Sequence, residues 1–331
     1  MLKKTLVVLF SLFMCLSFTS YAWAVIPIQF THSGNGYIFS DNPEDIPSTN
    51  GWTIGSSLAS GSTYDVELYH HNYTGSTKKI GAALQNTSSS SATITVYAKV
   101  IGYSNTDQGS EVDLTAVKLR DYQNGSGSTT ITIPANSCAW LMYSDVPTSK
   151  LVYGKAKIKS NRSGVYVRVF HGPTNATSSQ VFTYSRDSAS GSATTSGCFE
   201  HDGKNHSSSI DASTYPTFYL SEWRPNYNIN EYENAATGYL GNQLLAGNYG
   251  MTYNITITNP GGKRIRITPN WVSGNNYARI VLYTPSNGWY TTTKIPSSQS
   301  WIMATGTGST FSFKYALPGG NFGNMKFEII N

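Results

Sequence analysis

Ile133-Pro134-Ala135-Asn136-Ser137-Cys138-Ala139-Trp140-Leu141-Met142 and Ile295-Pro296-Ser297-Ser298-Gln299-Ser300-Trp301-Ile302-Met303 are two versions of one phrase. Each follows a threonine-rich run, Thr129-Thr130-Ile131-Thr132 in the first case and Thr291-Thr292-Thr293-Lys294 in the second. Further upstream, Ala83-Leu84-Gln85-Asn86 is matched by Ile255-Thr256-Ile257-Thr258-Asn259. Recurrence at this scale predicts two related structural units in tandem.

The runs between these landmarks alternate with period two, as half-buried strands do. Thr93 to Ile101, Val165 to Phe170, Ala278 to Tyr283 and Thr310 to Tyr315 are clear cases, and Asn-Gly, Gly-Gly and Ser-Gly pairs punctuate them. Helical periodicity is nearly absent; one helical turn is expected around Val112 to Leu119. Many short strands with regular turn signals predict an all-β protein, a tandem pair of related antiparallel β-sandwich units of jelly-roll or Ig-like type.

Residues 1–24 read as a secretory signal peptide. Lys3 and Lys4 precede the apolar run Thr5 to Phe18, and Ala22-Trp23-Ala24 has the small-x-small form of a cleavage site. The apolar run is shorter than the roughly 20 residues a spanning helix needs. The expected organisation is a signal peptide at 1–24, a first sandwich at 25–184, a Ser/Gly-rich linker at 185–213 and a second sandwich at 214–331.

Charged residues make up 12% of the chain, about half the level usual in globular proteins, while aromatics reach 13%. The formal charge of +5 falls to +3 once Lys3 and Lys4 are removed, too weak a field for a nucleic-acid partner. No segment after the signal is apolar enough to span a membrane. Ser, Thr, Asn and Gly supply the polarity, a composition that suits an extracellular β-protein. Cys138 and Cys198 are the cysteines that follow the signal; export permits a bridge between them, and burial of Cys138 as a free thiol beside Trp140 fits equally well.

Gly36-Tyr37-Ile38-Phe39-Ser40-Asp41-Asn42-Pro43-Glu44, Glu67-Leu68-Tyr69-His70-His71-Asn72 and Ala83-Leu84-Gln85-Asn86 in the first half, with Gly247 to Tyr253 and Leu317-Pro318-Gly319-Gly320-Asn321 in the second, resemble secreted bacterial proteins associated with copper-amine-oxidase-like N-terminal (stalk) domains. The resemblance implies export and tandem β-units and brings no assigned activity. Amine oxidases build their quinone from an Asn-Tyr-Asp/Glu-Tyr motif; Asn226-Tyr227-Asn228-Ile229 departs from it at the last two positions, and no His-x-His pair is present, so oxidase activity is not expected.

Trp140 and Trp301 recur with the repeat and are expected in the core. Trp289 and Tyr290 follow the turn Ser286-Asn287-Gly288, and Tyr277 follows Gly274-Asn275-Asn276. Aromatics at hairpin tips are poorly buried by their own unit, so these three are the expected ligand-binding residues. His201, Asp202 and His206, with Glu200 as a further ligand, fall short as a zinc set because no helix fixes their spacing, and no metal ligands are assigned. His70 and His71 on one strand should point to opposite faces. Asp41 to Asp45 offers oxygens for a structural calcium near Asp41 and Glu44, although an Asx turn explains the same residues.

These features predict a secreted, non-enzymatic binding module that recognises polysaccharide or a cell-envelope surface. Two alternatives are a self-associating envelope or coat component and a glycoside hydrolase. The hydrolase would use Glu222, Glu231 and Glu233, the acidic group set among aromatics, as facing carboxylates.

Overall fold

The structure, a computed structural model, describes residues 25–105, 108–191, 194–223, 227–270, 277–297, 299–321 and 323–331. The expected signal peptide at 1–24, Trp271 and the turn at 274–276 lie outside the described residues. Strand accounts for 53% and helix for 7%, in several mixed and antiparallel sheets, none of them closed. The all-β class therefore holds. Among the described residues no helix is long and apolar enough to cross a membrane.

Strands are numbered along the chain. Sheet III runs β1 (Phe30–Ser33), β13 (Gly203–His206), β17 (Thr252–Thr258), β24 (Thr310–Ala316), β20 (Val281–Thr284) and β21 (Gly288–Thr291), with β14 (Ile210–Asp211) also paired to β17. Sheet II runs β16 (Thr237–Gly241), β12 (Thr195–Phe199), β2 (Gly36–Ser40), β4 (Thr63–Asn72), β9 (Lys150–Ser160), β6 (Ala92–Asn105) and β7 (Thr129–Ile133). Sheet I runs β11 (Ser185–Arg186), β3 (Gly51–Leu58), β10 (Val165–Gly172), β5 (Lys78–Asn86) and β8 (Ser137–Val146). Sheet IV runs β15 (Thr217–Leu220), β25 (Met325–Ile330), β18 (Arg264–Pro269) and β23 (Trp301–Thr305), while β19 (Tyr277–Ala278) and β22 (Ile295–Pro296) form a separate pair.

Pairing is not wholly antiparallel as expected: β2 lies parallel to β4, and β13 to β17. The cause in the first case is the intervening β3, which belongs to sheet I. The chain leaves sheet II, reverses, and returns in its original direction. Alternation places one residue set of each strand inward. Val66, Leu68, Val152 and Ile158 of sheet II meet Ile54, Ile80, Leu84 and Val167 of sheet I in one core. Tyr253, Ile255 and Phe313 of sheet III meet Phe218, Ile267 and Phe327 of sheet IV in another.

Sheet II is buried on both faces at its centre. Val66 and Leu68 of β4 face the core, and Asp65, Glu67, Tyr69 and His71 on the opposite face are buried too. His70 and His71 do point to opposite sides; both are buried, His70 toward Ser40 and His71 toward Glu111. What covers the second face is a helix, Gln108–Gln123, together with sheet III. The helix extends well beyond the single turn expected around 112–119. Its buried stripe, Val112, Thr115, Ala116, Leu119 and Tyr122, has helical spacing, but two small residues dilute the apolar signal. Thr115 Oγ1 donates to the Gly319 carbonyl at 2.6 Å, and Arg279 Nη1 to Asp113 Oδ1 at 2.9 Å, so the helix is tied to the chain's second half.

Residues 185–213, expected as a linker, contribute β11 to sheet I, β12 to sheet II, and β13 and β14 to sheet III. Strand β1 lies in sheet III although it falls in the expected first unit, and β16 lies in sheet II although it falls in the second. Small polar residues here are structural: Ser196 Oγ accepts from the Asp41 and Asn42 amides and donates to the Asn42 carbonyl. Cys138 and Cys198 are both free. The two repeated tryptophans occupy different settings. Trp140 stacks on Phe170 outside the first core, whereas Trp301 packs against the second.

Candidate functional site

The three aromatics expected to bind ligand do not form one surface. Trp289 and Tyr290 are neighbours on β21 and so project to opposite faces. Trp289 packs against the cluster between sheets II and III, and its carbonyl accepts from Asn124 Nδ2 at 3.2 Å. Tyr290 packs against the core of sheets III and IV, 6.4 Å from Trp301 between ring centres. Tyr277 sits on β19, its ring covered by Lys294 Nζ at 4.4 Å.

An aromatic groove does exist, on the solvent face of sheet I. It is open, holds about 380 Å³, and is lined by Trp52, Ser57, Gln85, Tyr166, Arg168 and Phe182 among others. The strand pattern builds it. Val165, Val167 and Val169 of β10 point into the core, so Tyr166 and Arg168 point outward. Register places Ser57 and Gln85 on either side of Tyr166, and Gly55 and Ala83 on either side of Arg168. Small neighbours leave the Tyr166 ring 42% exposed. Gly55 also admits the Arg168 stem, since a Cβ there would lie 3.0 Å from Arg168 Cγ.

One wall of the groove is fixed. The Arg168 guanidinium lies 4.4 Å from the Trp52 ring centre and 5.0 Å from that of Phe182, and donates to the Phe182 carbonyl at 3.0 Å. Trp52 Nε1 donates to the Tyr184 carbonyl at 3.0 Å. Stacking and hydrogen bonds thus hold the 181–184 segment beside the sheet before any ligand arrives. Alternation in Val165-Tyr166-Val167-Arg168 already signals that Tyr166 faces away from the core. The 182–184 wall carries no comparable signal.

The acidic group proposed for hydrolysis is arranged otherwise. Glu222 and Glu231 are fully buried. Glu222 accepts from the Tyr227 and Asn228 amides at 2.8–2.9 Å. Glu231 accepts from Tyr253 Oη at 2.7 Å and Asn228 Nδ2 at 3.0 Å. Burial, reinforced by Glu231, pushes the Glu222 carboxyl up to about 8. Internal donors thus satisfy both carboxylates and tie Glu222 and Glu231 to Asn228.

Near Asp41 and Glu44 the carboxylates turn to a histidine. Glu111 Oε1 is 2.8 Å from His71 Nε2, and Asp45 Oδ1 is 3.3 Å from His71 Nδ1. Burial opposes a charge on this ring, but Glu111 and its acidic neighbours outweigh it and raise the histidine above its ordinary range. Among the described residues, ligand atoms with metal-like spacing converge at one place, and it does not include Asp41 or Glu44. That place joins His32 of β1, His201 and Glu233, beside Lys204. Of the residues weighed from sequence, His201 from the loop histidines and Glu233 from the acidic group belong to it. Asp202 instead accepts from the Asn35 amide at 2.7 Å, and His206 packs against Phe30. No local pattern joins His32 to Glu233, which stand 201 positions apart; the pairing of β1 with β13 sets His32 opposite Lys204, and Glu233 reaches both from the segment before β16.

No protein-family model matches this chain, and no curated protein matches it either.

Proposed function

We propose that this chain is a secreted, non-enzymatic protein built as a tandem pair of related β-sandwich units, and that it binds neutral polysaccharide in the groove on sheet I. Strand order supports the tandem reading. The order β2-β4-β9-β6-β7 in sheet II is matched by β13-β17-β24-β20-β21 in sheet III, and β3-β10-β5-β8 in sheet I by β15-β25-β18-β23 in sheet IV. Even the parallel pair recurs, β2 with β4 and β13 with β17. The outer faces differ. Sheet IV carries a charged row, with Arg266 and Lys326 both paired to Glu328, where sheet I carries the aromatic groove.

The observation that carries the ligand class is the exposed Tyr166 ring in a preformed groove edged by Ser57 and Gln85. A sugar ring offers apolar C–H faces and a rim of hydroxyls, which such a ring and such neutral side chains complement. The test is co-sedimentation of residues 25–331 with insoluble polysaccharides, peptidoglycan included. Tyr166→Ala is expected to weaken retention at least about tenfold, the loss that goes with roughly 1.4 kcal/mol. Trp289→Ala should bind as the unaltered chain does. Retention that is insensitive to Tyr166→Ala would place the ligand elsewhere, and no retention on any polymer would defeat the reading.

A further inference from the structure

Three atoms that can donate an electron pair meet at the junction of β1, the turn after β12 and the segment before β16. They are Nδ1 of His32, Nδ1 of His201 and a carboxylate oxygen of Glu233, all within 4.8 Å of one another. His32 Nδ1 contacts Glu233 Oε1 directly, and His201 Nδ1 stands 3.5 Å from the same oxygen. The imidazoles meet edge to face with centres 5.5 Å apart. Ligand atoms held tetrahedrally at about 2.1 Å from one ion are themselves roughly 3.4 Å apart, so small movements would bring these three onto a common centre.

The cation present in the chain itself meets only part of this demand. Lys204, fully buried, places Nζ 2.7 Å from Glu233 Oε1 and 3.1 Å from His32 Nδ1. It does not serve His201 Nδ1, which is shielded from solvent and has no hydrogen-bond partner. An orphaned buried ring nitrogen aimed into a group that already gathers positive charge calls for an explanation. Meanwhile the His32 and His201 side chains are about one-third exposed, at 31% and 33%, so the site opens to solvent.

We propose that His32, His201 and Glu233 form a binding site for a divalent transition-metal ion of the zinc class, which displaces the Lys204 ammonium from Glu233. Two imidazoles and one carboxylate match zinc's preference for nitrogen and oxygen, and the exposed side leaves room for water as a fourth ligand. The ion would pin three segments that are remote in sequence, including the first strand of the chain. It is independent of the groove on sheet I.

The experiment is a titration of residues 25–331 with zinc, read by competition against a chromogenic chelator. Cobalt(II) serves as a spectroscopic probe of coordination, and the melting temperature is followed in parallel. One ion per chain, a tetrahedral cobalt spectrum and a melting temperature raised by several degrees are expected. His201→Ala should weaken zinc at least tenfold while lowering the metal-free melting temperature only slightly, because its Nδ1 makes no hydrogen bond in the metal-free chain. His32→Ala should weaken zinc similarly and erase the cobalt spectrum. Absence of zinc binding at 100-fold molar excess, or binding that His201→Ala leaves intact, would overturn the proposal.

Discussion

Lys155→Met is expected to cost the folded chain about 3–5 kcal/mol, the range for stripping one partner from a buried ion pair. Lys155 is 1% exposed, its ammonium 2.7 Å from Glu67 Oε2 and 3.8 Å from Asp65 Oδ2. It also donates to the Gly250 carbonyl at 2.8 Å, which ties sheet II to the segment leading into β17. Tyr37 and Tyr122 cover it, their ring centres 4.9 and 5.1 Å away. Burial works against this charge, but the two carboxylates prevail and hold the lysine above its ordinary range. Methionine fills the volume and leaves Glu67 without its cation in a dry interface. Only glycine fits at 250, where φ is +72° and a Cβ would fall 2.1 Å from Glu67 Oε2, so the chain passes directly against this carboxylate. Chemical denaturation measures the loss. The double variant Lys155→Met/Glu67→Leu should recover much of it, since an apolar pair incurs no charge burial. A cost below about 1 kcal/mol would mean that solvent reaches this junction.

The second large effect is a pH dependence. Glu222 titrates near 8 in the folded chain, mainly through burial and then through Glu231, against about 4.3 when unfolded. A raised carboxyl binds its proton more tightly in the folded state. Its contribution is therefore complete below about pH 4 and is lost as pH rises toward 8, with a slope approaching about 1.4 kcal/mol per pH unit. Asp65, pushed up to about 7 by burial against the pull of Lys155, adds the same sign over a narrower window. His70, lowered to about 3 by burial, has the opposite sign between about 3 and 6.5 and limits stability in acid. Glu222→Gln removes the contribution of the Glu222–Glu231 pair that depends on Glu222. Glutamine resembles the protonated acid and keeps an oxygen for the Tyr227 and Asn228 amides. Stability measured from pH 5 to 8 should fall less steeply in the variant, which should be the more stable protein at pH 8. Parallel curves would show that Glu222 is not held neutral.

The strands could be read from the sequence because alternation reports burial on one face directly. Thr93 to Ile101 and Val165 to Phe170 fall within strands as expected. That signal falters where both faces are buried. In β4, Asp65, Glu67 and His71 lie on the face opposite Val66 and Leu68, yet they too are buried, paired with Lys155 and with Glu111. The helix Gln108–Gln123 exceeds the single turn its sequence signals because Thr115 and Ala116, small and weakly apolar, complete its buried stripe. The binding residues were sought at a hairpin tip, on the premise that tip aromatics are exposed. Trp289 is half-buried and packs against the cluster beneath the helix, a contact that no local pattern announces. Tyr166 was legible as an outward residue, but the wall that turns its surroundings into a groove arrives from 182–184. The histidine and glutamate cluster has no local signal for a similar reason, since residues 32 and 233 are remote in sequence and meet only in the folded chain.

The proposed ligand-binding surface is the solvent face of sheet I. Hydrogen–deuterium exchange of residues 25–331, with and without a soluble fragment of whichever polysaccharide retains the chain, tests it most directly. Added protection is predicted in β3, β10 and the 181–184 segment, with none in β20 and β21. Protection confined to 281–291, or no change on sheet I at saturating ligand, would contradict it.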